Sequence, residues 1–123
     1  TAGAEVIITG AGKDTISTGG GADYIIIGAG QGSTTLANAN TVAGHLTEPS
    51  SGTSGFTNGV DKFALGNDAS GNALAFADLT VAGANSNADT NVSITATGEY
   101  LMTITGLQPG YVLTDDFVSV DIL

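Results

Sequence analysis

Along the first third of the chain, single apolar residues recur every nine positions in polar, glycine-rich surroundings: Ile7, Ile16 and Ile25, with Thr34 in the fourth place. Two residues before each stands an acid, Glu5, Asp14 and Asp23, and Gly32 takes that place in the last copy. Glycines keep the same period in two more columns: Gly3, Gly12, Gly21 and Gly30, then Gly10, Gly19 and Gly28, with Thr1 at the head of the second. A period held in several columns at once marks a repeat architecture. Each copy divides into a six-residue turn and three residues that suffice for one short strand, its central isoleucine on one face. Glycine lets such turns wind tightly because it tolerates positive φ. Turn and strand alternate, so two copies make one coil. Turns two copies apart then stack on the same side.

The residues flanking each isoleucine point away from the coil, and they differ between strands. Thr15 and Ser17 flank Ile16, whereas Val6 and Ile8 flank Ile7, and Tyr24 and Ile26 flank Ile25. The last two strands lie side by side, so one outer face is polar and the other carries an apolar patch. Left in water, that patch is an association hazard. The expected cover is the later β segment (Val92, Ile94, Met102, Ile104), residues 33–59, or a neighbouring subunit.

Residues 33–59 are rich in Ser, Thr, Asn, Gly and Ala, and residues 36–46 could form a helical turn or two. From Val60 the pattern becomes β. Residues 91–97 alternate strictly, with Val92, Ile94 and Ala96 on one face. Gly98-Glu99 reads as a two-residue turn, and residues 100–105 return with Met102 and Ile104 inward, a hairpin signal. Residues 75–81 read as a short turn feeding a strand.

The stretch Thr9-Gly10-Ala11-Gly12-Lys13-Asp14-Thr15-Ile16-Ser17 resembles the haemolysin-type calcium-binding nonapeptide GGxGxDxUx of RTX proteins. Thr18-Gly19-Gly20-Gly21-Ala22-Asp23-Tyr24-Ile25-Ile26 matches it again, between two degenerate copies carrying Glu5 and Gly32 in the acid place. The resemblance implies an all-β fold: a parallel β-roll of about two coils, with calcium between stacked turns, followed by an antiparallel β cap packed on it. Val60-Asp61-Lys62-Phe63-Ala64-Leu65 resembles the segment after the repeats in RTX carboxy-terminal domains, and the acid-and-apolar end from Leu113 to Leu123 resembles the terminus of serralysin-type and other type I secreted proteins. On this reading residues 1–123 are one domain: repeats to residue 34, an insertion loop over 35–59, and a cap with a secretion-signal-like end over 60–123.

Calcium wants six to eight oxygens, so carbonyls plus one carboxylate per turn suit it. The expected donors are Asp14 and Asp23, then Glu5, whose extra methylene changes its reach, with Gly10, Gly12, Gly19, Gly21, Gly28 and Gly30 supplying the turns. Each Asp could instead simply close a glycine turn through its own backbone. Stacking pairs the Glu5 turn with the Asp23 turn, and the Asp14 turn with the one ending at Gly32. The first pair has two carboxylates and should bind more tightly.

Charge sharpens the picture. Twelve acids face two bases, a net charge of −10, which disfavours nucleic acid and anionic membranes and favours divalent cations. Cysteine is absent, which leaves disulfides and thiolate metal sites out. No run approaches the length of a membrane helix, and there is no signal peptide or initiator Met at Thr1, so a fragment or processed product is expected.

Other lookalikes fail on spacing. Gly12-Lys13 has Ile7 where a phosphate loop needs its first Gly and Asp14 where it needs Ser or Thr. Gly28-Ala29-Gly30-Gln31-Gly32-Ser33 starts like a dinucleotide fingerprint but ends in Ser33. His45 is the sole histidine and reads as a loop residue. Asp61, Asp68, Asp78 and Asp89 fall in turn-like surroundings where Asp is ordinary, and Asp115 and Asp116 could cap a final turn.

The expectation is therefore a non-catalytic calcium-binding module, secreted or at the cell surface, exported by type I secretion machinery and folding on calcium. The alternatives are a self-assembling surface-layer or filament subunit, and an accessory module of a larger secreted protease or epimerase. Partners would be calcium, the secretion machinery, and itself or an upstream domain.

Overall fold

The computed structural model describes residues 6–8, 10, 12–17, 22–43, 61–68, 70–86, 88–106 and 116–119. These form β1 (Val6–Ile8), β2 (Thr15–Ile16), β3 (Tyr24–Ile27), β4 (Asn40–Ala43), β5 (Lys62–Leu65), β6 (Leu79–Ala84), β7 (Asp89–Ile94), β8 (Tyr100–Thr105) and β9 (Phe117–Ser119). Short 3-10 turns occupy Leu36–Asn38 and Phe76–Asp78, and no α-helix occurs among the described residues. None is therefore long and apolar enough to cross a membrane.

Two sheets face each other. The first runs β1-β3-β5-β9 and the second β2-β4-β8-β7-β6. Every pairing in the first is parallel, as are β2 with β4 and β4 with β8. The chain changes sheet at each strand from β1 to β5, adds the antiparallel run β6-β7-β8 to the second, and returns to the first at β9. This is a β-roll.

Register follows the apolar positions. Ile7 lies opposite Ile25, Ile25 opposite Phe63, and Phe63 opposite Phe117. In the other sheet Ile16 lies opposite Val42 and Val42 opposite Ile104. These side chains meet between the sheets with Ile27, Leu65, Leu101 and Met102 as one core. The Phe63 and Phe117 rings stack at 5.2 Å, and Phe76 tilts against Phe117 at 5.1 Å.

Among the described residues no boundary separates a two-coil roll from a cap. β5, β8 and β9 are rungs of the same two sheets, and the antiparallel strands widen the second sheet instead of covering an end. Nor is 35–59 an unbroken insertion loop. Helical geometry stops at Asn38, and Asn40–Ala43 is a rung between β2 and β8. The physical reason is that a parallel rung needs its apolar residue in register, not a fixed interval. Closure entropy rises only slowly with loop length, so longer excursions between rungs cost little. The hairpin also differs from expectation: β7 ends at Ile94, so residues 95–99 form the turn and Ala96 is exposed.

The faces fall as expected around Ile16, with Thr15 and Ser17 exposed. On the first sheet Ile26 is buried, but Val6 and Ile8 remain 64% and 62% exposed and Tyr24 44%. The cover expected from Val92, Ile94, Met102 and Ile104 does not form, because those residues point into the core.

Candidate metal centre

The turn entering β2 carries Gly10, Gly12 and Asp14. Gly10 and Gly12 adopt φ of 66° and 99°, the left-handed region that side chains resist, which is why the pattern keeps glycine there. Asp14 is tied down at its backbone: its N–H donates to Asn40 Oδ1 at 2.8 Å, and its carbonyl accepts the Thr41 N–H at 2.9 Å. Asp14 Oδ2 is buried with no hydrogen-bond partner, and a buried charged oxygen left that way is costly.

Asp23, entering β3, repeats the arrangement and is fully buried. Its N–H donates to Asp61 Oδ1 at 2.9 Å and its carbonyl accepts the Lys62 N–H at 2.9 Å. Asp61 is fully buried too, so it is no ordinary turn residue. It belongs to the acid column of the first sheet. The signal in the sequence was the triad acid, any residue, apolar, which Asp61-Lys62-Phe63 shares with Asp14-Thr15-Ile16 and Asp23-Tyr24-Ile25. The described register of β1 and β3 runs from Val6 opposite Tyr24 to Ile8 opposite Ile26. Glu5, Gly19, Gly21 and His45 themselves lie outside the described residues.

The second expected pairing, of the Asp14 turn with the turn ending at Gly32, is not found. β2 pairs with β4, so Asn40 stands beside Asp14. The turn of residues 28–33 is closed in another way. The Gly30 N–H donates to both Glu99 oxygens, at 3.1 and 2.8 Å, and the Gly32 N–H donates to Glu99 Oε2 at 2.9 Å. The Gly28 carbonyl accepts the Gln31 N–H at 3.2 Å. Gly28 and Gly30 thus sit in a turn held by a distant carboxylate. Gly32 departs from the acid column because a Cβ there would lie 2.0 Å from the Tyr100 carbonyl oxygen.

A cleft of about 620 Å³ opens beside this turn, with Asp68, Asp78 and Glu99 at its edge and Leu74 and Ile94 in its wall. All three acids hold main-chain N–H groups: Asp68 those of Ser70 and Asn72, Asp78 that of Ala75, and Glu99 those of Gly30 and Gly32. Asp89 does the same for Gly106.

Among the described residues no three His, Cys, Asp or Glu side chains converge to hold a metal. A metal at the turns would draw on one or two carboxylates and on main-chain oxygens, an all-oxygen donor set. That set suits a hard cation such as calcium, and the orphaned Asp14 oxygen fits one.

Comparison with known proteins agrees with the donor set. Residues 1–33 match the family described as RTX calcium-binding nonapeptide repeat, in four copies. No curated protein and no solved structure matches the chain.

Proposed function

We propose, from a chain whose first 33 residues are RTX calcium-binding nonapeptide repeats, that this protein is a non-catalytic module of a secreted protein, exported by a type I pathway and stabilised outside the cell by calcium. The observation that carries the reading is Asp14 Oδ2, buried with no hydrogen-bond partner in the turn of Gly10 and Gly12. Asp14 holds one ion with the turn carbonyls of Gly10 and Gly12, and Asp23 holds another with Glu5 and the turn carbonyls of Gly19 and Gly21. Calcium supplies positive charge that the acidic turns lack, and its binding free energy adds to folding free energy. Extracellular modules bind at about 10⁻⁴–10⁻³ M, which leaves such a chain metal-free in a cytoplasm and loaded after export.

Calorimetric titration with calcium tests this. Heat of binding at millimolar concentration or below, strongly reduced in the double variant Asp14→Asn, Asp23→Asn and unchanged in Asp89→Ala, is the expected result. A chain that neither takes up calcium nor gains thermal stability from it overturns the reading.

A second reading, a subunit of an extracellular assembly, is favoured by the exposed Val6 and Ile8 on β1, which ends the first sheet among the described residues. Sedimentation velocity separates the two: calcium-dependent association abolished by Val6→Ser with Ile8→Ser supports assembly, and a monomer at all concentrations removes it.

A further inference from the structure

Beyond the Asp14 rung, the acid column of the second sheet is interrupted by an amide. Asn40 is fully buried and uses every hydrogen-bonding group it has: Oδ1 accepts the Asp14 N–H at 2.8 Å, and Nδ2 donates to the Gln31 carbonyl at 2.9 Å and the Leu101 carbonyl at 3.0 Å. A carboxylate in its place would bring no donor. It would set its own oxygen against two carbonyl oxygens, a cluster that only a cation satisfies. The two N–H bonds of Asn40 do there what an ion would do.

The neighbouring turn is closed without a metal as well. Glu99 holds the N–H groups of Gly30 and Gly32. Ser33 and Tyr100 exchange main-chain hydrogen bonds at 3.0 and 2.7 Å. The turn that lost its acid at Gly32 is thereby fixed to β8 by groups the chain itself provides.

We propose that Asn40 and Glu99 stand in for the metal ion, so that calcium dependence is confined to the turns entering β1, β2 and β3. The second sheet from β4 through β7 and β8 then holds its structure without calcium and serves as the platform on which the metal-requiring turns order. This rests on the calcium reading above. Asn40 and Glu99 are positioning residues: they set where the ion is needed and where it is not.

Hydrogen exchange on the full chain, in EDTA and in millimolar calcium, reads this strand by strand. Amides of β1 and β2 should exchange at least about tenfold faster in EDTA, while those of β4, β7 and β8 change by less than about twofold. Asn40→Asp should make β4 and β8 calcium-dependent, with protection lost in EDTA and restored by the ion. Glu99→Ala should loosen residues 28–33 equally in both conditions. A calcium response spread evenly over all strands leaves the calcium reading standing and overturns this one. So does an Asn40→Asp variant that ignores calcium or stays unprotected at every calcium concentration. A chain with no calcium response anywhere overturns both.

Discussion

Asp61 Oδ1 accepts the main-chain N–H of Asp23 at 2.9 Å, across 38 residues of sequence. Asn40 does the same for Asp14 across 26. In each sheet, then, the side chain that opens one rung caps the backbone of the rung before it. Asp61→Ala leaves a buried N–H without its acceptor and should cost about 1–3 kcal/mol. Asp61→Asn keeps an acceptor of the same reach and should cost clearly less. Urea unfolding of both in calcium checks the order.

Gly30 and Gly32 stand two residues apart in one turn but are glycine for different reasons. A Cβ on Gly30 meets nothing within 4 Å, and its φ of 86° is the sole objection. Gly30→Ala should cost about 1–2 kcal/mol. Gly32→Ala drives a methyl into the Tyr100 carbonyl at 2.0 Å, so β8 must move. It should cost more than about 4 kcal/mol, beyond the ordinary range of single substitutions. Thermal melting of the two variants, with Gly32→Ala much the lower, is the measurement.

Phe63 is the pivot of the first sheet. It is fully buried in β5, lies between Ile25 and Phe117 in register, and stacks on the latter. Phe63→Ala should cost about 3–5 kcal/mol through lost burial and the cavity left behind. Val118, beside Phe117 but 36% exposed, should lose under about 1 kcal/mol as Ala. Equal midpoints in denaturant would mean that β9 does not close the core.

The outer face of the first sheet is uneven. Ile26 is 9% exposed and Ile8, one strand over and opposite it in register, is 62% exposed. Ile26→Asp buries a carboxylate with no partner supplied and should destabilise the protein by about 3 kcal/mol or more. Ile8→Asp should change stability by less than about 1 kcal/mol and improve solubility, since it breaks an exposed apolar patch. Chemical denaturation and a precipitation assay report the two effects separately.

The chain alone determined what nine-residue spacing can encode: a glycine turn, an acid at its end, an apolar residue two places on, and the pairing of strands two copies apart. Each of these acts within a few residues. Ile7 opposite Ile25 follows directly, as does the alternation that sends Val92, Ile94, Met102 and Ile104 inward. Only the tertiary structure decided which later segments continue the roll. Asn40 and Asp61 open rungs because Val42 and Phe63 find places in the core, and the intervals leading to them follow no period. Glu99 reaches Gly30 and Gly32 because β8 lies against β4 and brings the β7–β8 turn to the end of the repeats. A side chain's own sequence surroundings say how its strand alternates, but its partner across the sheet is set by the register of the assembled core. That is why the acid column was legible while its period lasted, and its continuation through an amide was not.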